Sequence, residues 1–215
     1  MRRYLYLHGF ASGPNSTKGV KFAAHYEAQG IAIERLNLRV PSFEHLRLSA
    51  MIEVVQAAIG EGNTAVLFGS SLGGLTAARV AAIDARVEAL VLMAPAFQLA
   101  GRWRDMLGAD FTAWQTTGWR EVTDFTTGQP ARVDFGFVED AAAIDVGQPE
   151  VRVPTVIVHG LHDDTVPVDH SRRFAAGRPN VKLVEVDDGH ELIASVPRVL
   201  AEADALLQAL QPPPA

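Results

Sequence analysis

Gly69-Ser70-Ser71-Leu72-Gly73 is the stretch that decides the fold of this chain. An apolar run at residues 64–68 precedes it, and a helix-forming segment at residues 75–82 follows it. A strand, the pattern G-x-S-x-G and a helix predict a sharp turn that presents a serine at the end of a sheet. Glycine suits the outer positions because the turn leaves no room there for a Cβ. The register predicts Ser71 as a nucleophile, and the alternative is an ordinary glycine-rich turn before a helix.

Length and composition predict one folded domain of the ordinary globular class. The 215 residues are 48% hydrophobic and 20% charged, enough to bury a substantial core. The net charge of −6 and the lack of a basic block argue against a nucleic-acid partner. There is no cysteine, which excludes disulfides and thiolate chemistry. The first apolar stretch is too short for a signal peptide or a membrane span, so we expect a cytoplasmic protein.

Short apolar runs alternate with amphipathic segments along the chain. They predict six buried strands, at residues 4–7, 31–36, 64–68, 87–93, 155–159 and 181–186. Helices are predicted between them and from about residue 191 to 210, before a tail at Pro212-Pro213-Pro214. This alternation implies right-handed crossovers and a parallel sheet covered by helices on both faces.

Residues 97–150 separate the fourth and fifth predicted strands and are called the inserted segment below. The segment is far longer than an ordinary connection, and it holds half of the aromatic residues. We expect it to form a cap over the strand ends, with a hairpin made by residues 119–125 and 132–137. Its aromatic side chains fill the cap or line a pocket, and the candidates for substrate contact are Trp103, Trp114 and Trp119. Its arginines are expected on the solvated surface: Arg102, Arg104, Arg120 and Arg132.

A serine nucleophile needs a general base, and that base needs an orienting acid. Candidates follow the fifth and sixth predicted strands, namely His162, Asp163, Asp164, Asp187, Asp188 and His190. Because the carboxyl ends of parallel strands meet at one edge of a sheet, these loops are expected to converge on the serine. A metal site made of His159, His162 and Asp163 is the weaker alternative for this region. A strand-to-loop transition does not hold these side chains on one face.

Four motifs together carry a family resemblance. They are H-G-F at residues 8–10, G-S-S-L-G-G at 69–74, H-G-x-x-D-x-x-V-P at 159–167 and D-G-H at 188–190. On these motifs the chain resembles the α/β-hydrolase superfamily over nearly its whole length, and its start resembles the small bacterial YqiA-like esterases. The resemblance implies one α/β-hydrolase domain over residues 1–215. Its fold is expected to be a three-layer sandwich, with a mainly parallel sheet of about six strands flanked by helices.

The resemblance also implies a role for each candidate residue. It implies Ser71 as the nucleophile, His190 as the general base and Asp163 as the orienting acid. Asp164 is the rival of Asp163, and the D-x-x-V-P spacing favours Asp163. The oxyanion hole is expected to consist of two backbone N–H groups, those of Phe10 and Leu72.

The expected function is that of a serine hydrolase, a carboxylesterase or thioesterase for small, largely apolar substrates. We expect no metal, no organic cofactor, no nucleic-acid partner and no membrane span. An acyltransferase or perhydrolase would use the same triad, and a peptidase would need a further subsite. A non-catalytic binding module on this fold would usually lack a member of the triad, and none is missing here. The natural substrate, the acyl chain length and the oligomeric state do not follow from the sequence.

Overall fold

The computed structural model describes residues 1–210, so the predicted tail at residues 212–214 lies outside the described residues. The elements follow one another in the order β1 (Arg2–Leu7), α1 (Thr17–Glu27), β2 (Ile33–Leu36), α2 (Leu48–Ile59), β3 (Thr64–Ser70), α3 (Leu72–Ile83), β4 (Val87–Met93), α4 (Leu99–Leu107), α5 (Ala109–Thr117), β5 (Trp119–Asp124), β6 (Gln129–Asp134), α6 (Gly136–Ile144), β7 (Thr155–Gly160), α7 (Asp169–Ala175), β8 (Val181–Val186) and α8 (Val196–Ala209).

Six strands form one parallel sheet in the order β2-β1-β3-β4-β7-β8. These are the six strands that the sequence predicts, within a few residues at each end. The strand that ends at Ser70 lies in the middle of the sheet, and its neighbour β4 pairs with β7. The loops after β3, β7 and β8 therefore leave the sheet at the same edge, as the sequence predicted.

The sheet is covered by helices on both faces, as the alternation of apolar runs and amphipathic segments predicted. Along β1, Leu5 and Leu7 belong to the hydrophobic cluster on one face, while Tyr6 belongs to the cluster on the other. This alternation follows from the period of two in a strand. Helices α2 and α3 pack into the first cluster, and α1 and α8 pack into the second. The result is the expected three-layer α/β sandwich.

The last helix begins later than the sequence predicted. Helix α8 starts at Val196 rather than near residue 191. Leu192 has a φ of 51°, a left-handed conformation that an α-helix does not contain. Pro197 then occupies the first turn, where its missing N–H costs no hydrogen bond. The residues between β8 and α8 are therefore left as a loop, and this loop carries His190.

The inserted segment contains α4, α5, the antiparallel pair β5–β6 and α6. The predicted hairpin is present, but its second strand begins three residues early, at Gln129, because Gly128 closes the turn with a φ of 71°. The turn is attached to the rest of the chain, since the N–H of Phe125 donates to the carbonyl of Ala11 at 2.9 Å. Arg39 also forms an ion pair of 2.6 Å with Asp124. Over residues 1–210 no helix combines the length and the apolar character needed to cross a bilayer.

Candidate active site

Ser71 occupies the sharp turn between β3 and α3. Its φ of 52° and ψ of −114° lie in a strained region for a residue with a side chain. The two flanking glycines make this turn possible. A Cβ at Gly69 would lie 2.5 Å from the carbonyl oxygen of Gly73, and a Cβ at Gly73 would overlap the carbonyl oxygen of Leu7. The turn therefore holds the serine hydroxyl at the edge of the sheet, at the N-terminus of α3.

His190 reaches Ser71 from the loop after β8. The distance from its Nε2 to Ser71 Oγ is 3.0 Å, and its Nδ1 lies 2.7 Å from Asp163 Oδ2. The loop is held by Asp188, whose carboxylate accepts from the N–H groups of Gly189 and Ser195 at 2.8 and 2.9 Å. Ser71, His190 and Asp163 thus form one hydrogen-bonded chain, although they are widely separated in the sequence.

Asp163 is a fully buried carboxylate with four hydrogen bonds. The backbone N–H groups of Thr165 and Val166 donate to its Oδ1 at 2.9 and 2.7 Å. Its Oδ2 accepts from two histidines, His190 at 2.7 Å and His159 at 3.1 Å. Burial alone would raise the pKa of Asp163, but these hydrogen bonds outweigh it and hold that pKa well below its usual range. Asp163 is therefore ionised wherever the protein is folded near neutral pH.

The rival carboxylate Asp164 points elsewhere. It is exposed and accepts only from the hydroxyl of its neighbour Thr165, at 3.2 Å. His162 is also exposed and pairs with Asp187 at 2.8 Å, whereas His159 is completely buried. The two histidines of the alternative metal site therefore lie in different environments. Among residues 1–210, no group of three or more His, Asp or Glu side chains has an arrangement that suits a metal ion.

The two predicted oxyanion donors border the same cavity as Ser71. The N–H groups of Phe10 and Leu72 donate to no group among the described residues. His8 explains the orientation of the first donor. Its Nε2 accepts from the N–H of Leu38 at 3.0 Å, so its Nδ1 carries the proton and donates to the carbonyl of Gly9 at 2.9 Å. In a trans peptide the Phe10 N–H points opposite to that carbonyl, away from His8.

A cavity of about 690 Å³ opens above Ser71 and His190. Trp103 and Trp114 are in its wall, and Phe10 packs edge-on against Trp103 with the ring centres 5.0 Å apart. Trp119 was predicted as a third wall residue, and this is not what the structure shows. Its ring lies against His45, with Arg132 over its face at 4.2 Å, outside the cavity wall formed by the described residues. Arg120 and Val122 of β5 line the cavity, so Trp119, at the first position of the same strand, lies on the opposite face.

The expectation that the arginines of the inserted segment are solvated is wrong for Arg102. This side chain is only 9% exposed and lines the cavity, and its Nη1 donates to the carbonyl of Thr165 at 2.6 Å. Arg120 also lines the cavity and is partly buried. Their burial results from packing between elements that are distant in sequence, which local charge patterning does not reveal.

Two further residues near the site were not predicted. Lys18 is buried in the cavity wall, and its Nζ donates to the carbonyl of Glu191, next to His190, at 2.8 Å. His159 was considered as a ligand of the alternative metal site, not as a partner of Asp163. It donates through Nε2 to Asp163 and to the carbonyl of Val166, while Ser171 donates to its Nδ1 at 2.7 Å. The H-G pair at residues 159–160 was the one feature of the sequence that pointed to His159. That pair alone does not show that this histidine binds the Asp163 carboxylate.

The fold and the convergence of these loops define the class of protein as one with the α/β-hydrolase fold. The chain belongs to the family described as Uncharacterised protein family (UPF0227), whose model matches residues 3–207. This match confirms the family resemblance, and the structural neighbours below confirm the α/β-hydrolase fold. A search of curated proteins found no match to the chain.

Three solved structures illustrate the similarity of fold. Alpha/beta hydrolase domain-containing protein 10 from mouse is 20% identical, with a TM-score of 0.81 over 97% of this chain and 90% of that one. A putative hydrolase from Agrobacterium vitis is 24% identical, with a TM-score of 0.83 over 95% and 87% of the two chains. Est1E from Butyrivibrio proteoclasticus, solved with ferulic acid bound, is 21% identical, with a TM-score of 0.76 over 97% and 90%. At these identities the comparison shows the fold alone.

Proposed function

We propose that this chain is a serine hydrolase that cleaves carboxylic esters or thioesters through an acyl-enzyme. The observation that carries the proposal is the hydrogen-bonded chain from Ser71 Oγ to His190 Nε2, at 3.0 Å, and from His190 Nδ1 to Asp163 Oδ2, at 2.7 Å. A nucleophile, a base and an orienting carboxylate in this order are the arrangement that activates a serine hydroxyl.

In the proposed reaction, Ser71 Oγ attacks the substrate carbonyl while its proton passes to His190 Nε2. Asp163 accepts from His190 Nδ1, which holds the imidazole in the tautomer whose Nε2 is free to take a proton. The protonated imidazole then donates its proton to the leaving alcohol or thiol. Water, deprotonated by the same imidazole, attacks the acyl-enzyme and releases the acid together with Ser71.

The negative charge that develops on the carbonyl oxygen requires preorganised donors. We assign this role to the N–H groups of Phe10 and Leu72, which have no acceptor among the described residues and border the cavity. Leu72 is also the first residue of α3, so the positive end of the helix dipole adds to its effect. Removal of one such donor typically costs about 3–4 kcal/mol of transition-state stabilisation.

We further propose that residues 97–150 act as a cap within a single hydrolase domain. The cap supplies the aromatic wall of the cavity through Trp103 and Trp114. A cavity of about 690 Å³ with such a wall suits a small substrate with a largely apolar body. The ferulic acid bound to Est1E is an aromatic acid, which makes esters of aromatic acids a sensible part of the substrate panel.

Labelling with a fluorophosphonate tests the nucleophile directly. We expect the wild-type chain to be labelled and Ser71→Ala not to be, while the exposed Ser42→Ala variant is labelled like the wild type. Labelling that survives Ser71→Ala would refute the assignment, and a wild-type chain that is never labelled would favour a binding module. A panel of esters of aliphatic acids of graded length and of aromatic acids, assayed with and without added alcohol or peroxide, separates a hydrolase from an acyltransferase or perhydrolase.

A further inference from the structure

Arg102 is a buried cation in the cavity wall without an ion-pair partner in the part of the chain that the structure describes. The two carboxylates that act on it through space are already bound, Asp145 by Arg79 and Asp163 by the histidines. Its Nη1 donates to the carbonyl of Thr165, but its Nε is closed off from solvent and has no acceptor among the described residues.

A charge in this position is costly, because burial removes the water that would stabilise it. Burial lowers the pKa of Arg102 to about 10, so the side chain still carries its positive charge at neutral pH. Nη2 has no acceptor among residues 1–210 and, unlike Nε, is not closed off from solvent. It can therefore donate a charge-assisted hydrogen bond to a carboxylate in the cavity.

Other charges in the cavity wall have the same sign. Lys18 and Arg120 line the cavity together with Arg102, whereas Glu191 is the one acidic residue among the described residues of the wall. The carboxylate of Glu191 lies 3.6 Å from Lys18 Nζ, but its side chain is 74% exposed and so compensates little of the charge. Arg120 likewise has an exposed partner, Asp110, at 3.9 Å. The buried charge of the wall, at Arg102 and Lys18, is thus positive in a chain whose net charge is −6.

We infer that the preferred substrate of this site is an ester or thioester that also carries a carboxylate, and that Arg102 binds this carboxylate. The inference rests on the proposed function and narrows its substrate class. The apolar body of the substrate lies against Trp103 and Trp114, and its anionic end lies at Arg102 on α4. Arg102 is then a specificity-determining residue, distinct from the groups that perform the chemistry.

Matched esters that differ only in charge test this inference. The measured quantity is the ratio of kcat/KM for 4-nitrophenyl hydrogen glutarate to kcat/KM for neutral 4-nitrophenyl valerate. A second pair, the butyrate esters of 4-hydroxybenzoate and of phenol, places the carboxylate on the leaving alcohol. We expect Arg102→Gln to lower the ratio for at least one pair roughly tenfold to a hundredfold, the range for loss of a charged hydrogen bond. Arg102→Lys should keep part of the preference.

Arg104→Gln is the matched control, because Arg104 lies on the same helix and its guanidinium lies over Phe111. Its ratio should equal that of the wild type. If Arg102 only supports the loop of Thr165, Arg102→Gln will slow both members of a pair equally, and an unchanged ratio overturns the inference. Hydrolysis of the neutral esters by the wild type would still leave the proposed function standing in that case.

A binding measurement on the wild type covers the case in which Arg102→Gln does not fold. We expect 4-phenylbutyrate to slow fluorophosphonate labelling of Ser71 at a concentration at least tenfold lower than the uncharged 4-phenylbutanamide. Equal protection by the acid and the amide overturns the carboxylate preference. A wild-type chain that is not labelled at all overturns both the preference and the proposed function.

Discussion

Replacing Gly160 with alanine would put a methyl group between the loop that carries Asp163 and the loop that carries His190. An ideal Cβ at residue 160 lies 2.5 Å from the carbonyl oxygen of Gly189 and closer still to that of Asp188. The ordinary distance between a Cβ and a carbonyl oxygen is about 3.5 Å, so the loop that carries His190 must move away by roughly 1 Å. Both clashing atoms belong to the backbone, so no change of rotamer relieves the contact.

This retreat acts directly on the hydrogen-bonded chain, since His190 follows Gly189 in the sequence. The distances of 3.0 Å to Ser71 and 2.7 Å to Asp163 would both change. A misplacement of about 1 Å typically costs about 10²-fold in rate, or about 2.7 kcal/mol in the barrier. Overpacking also costs about 2 kcal/mol of folding free energy, which lowers Tm by roughly 4–8 °C.

The assay measures kcat for 4-nitrophenyl butyrate alongside thermal unfolding. Gly101→Ala is the control, because no atom lies within 4 Å of its added Cβ and the residue is inside α4. This control should keep its kcat and gain up to about 1 kcal/mol of helix stability. A Gly160→Ala variant with the kcat and the Tm of the wild type would refute the reasoning.

Three other variants probe the partners of the site. His8→Leu removes the donor to the Gly9 carbonyl, so we expect kcat for a neutral ester to fall roughly tenfold to a hundredfold, with KM little changed; an unchanged kcat in the folded variant would contradict the role. His159→Leu removes a donor to a charged oxygen and strands a buried hydroxyl, so urea unfolding should show a loss of about 3–5 kcal/mol, and a loss below about 1 kcal/mol would count against this network. The depressed pKa of Asp163 means that its ionised form stabilises the fold above the unfolded value of about 3.9, a contribution that is lost as the pH falls through the folded value. Asp163→Asn should therefore lower Tm at pH 7 by roughly 4–8 °C, with a deficit that narrows below about pH 4; a deficit independent of pH would exclude the linkage.

The features that could be predicted are those that depend on local sequence. The central strands are mainly apolar runs, and the turn at Ser71 follows from the glycines around it. The loops that carry Asp163 and His190 could be brought together because a parallel sheet places them at one edge. The α/β-hydrolase fold was accordingly predicted and confirmed.

The features that could not be predicted depend on contacts between distant parts of the chain. Arg102 has the charged neighbours of a surface residue, and only the packing of α4 against the loop of Thr165 buries it. Trp114 lines the cavity from α5 whereas Trp119 in β5 does not, and composition does not specify which face of an element borders a cavity. The late start of α8 depends on the left-handed conformation of Leu192, and no residue-type preference indicates it.

The turn of the β5–β6 hairpin is attached beside the peptide of Phe10, through the bond from Phe125 to Ala11 and the ion pair of Arg39 with Asp124. A proposed cap attached at that point cannot move away without displacing the loop next to Ser71. Reactants should then enter through a permanent opening. The rate should accordingly follow the concentration of dissolved ester smoothly, with no jump where the ester begins to form micelles.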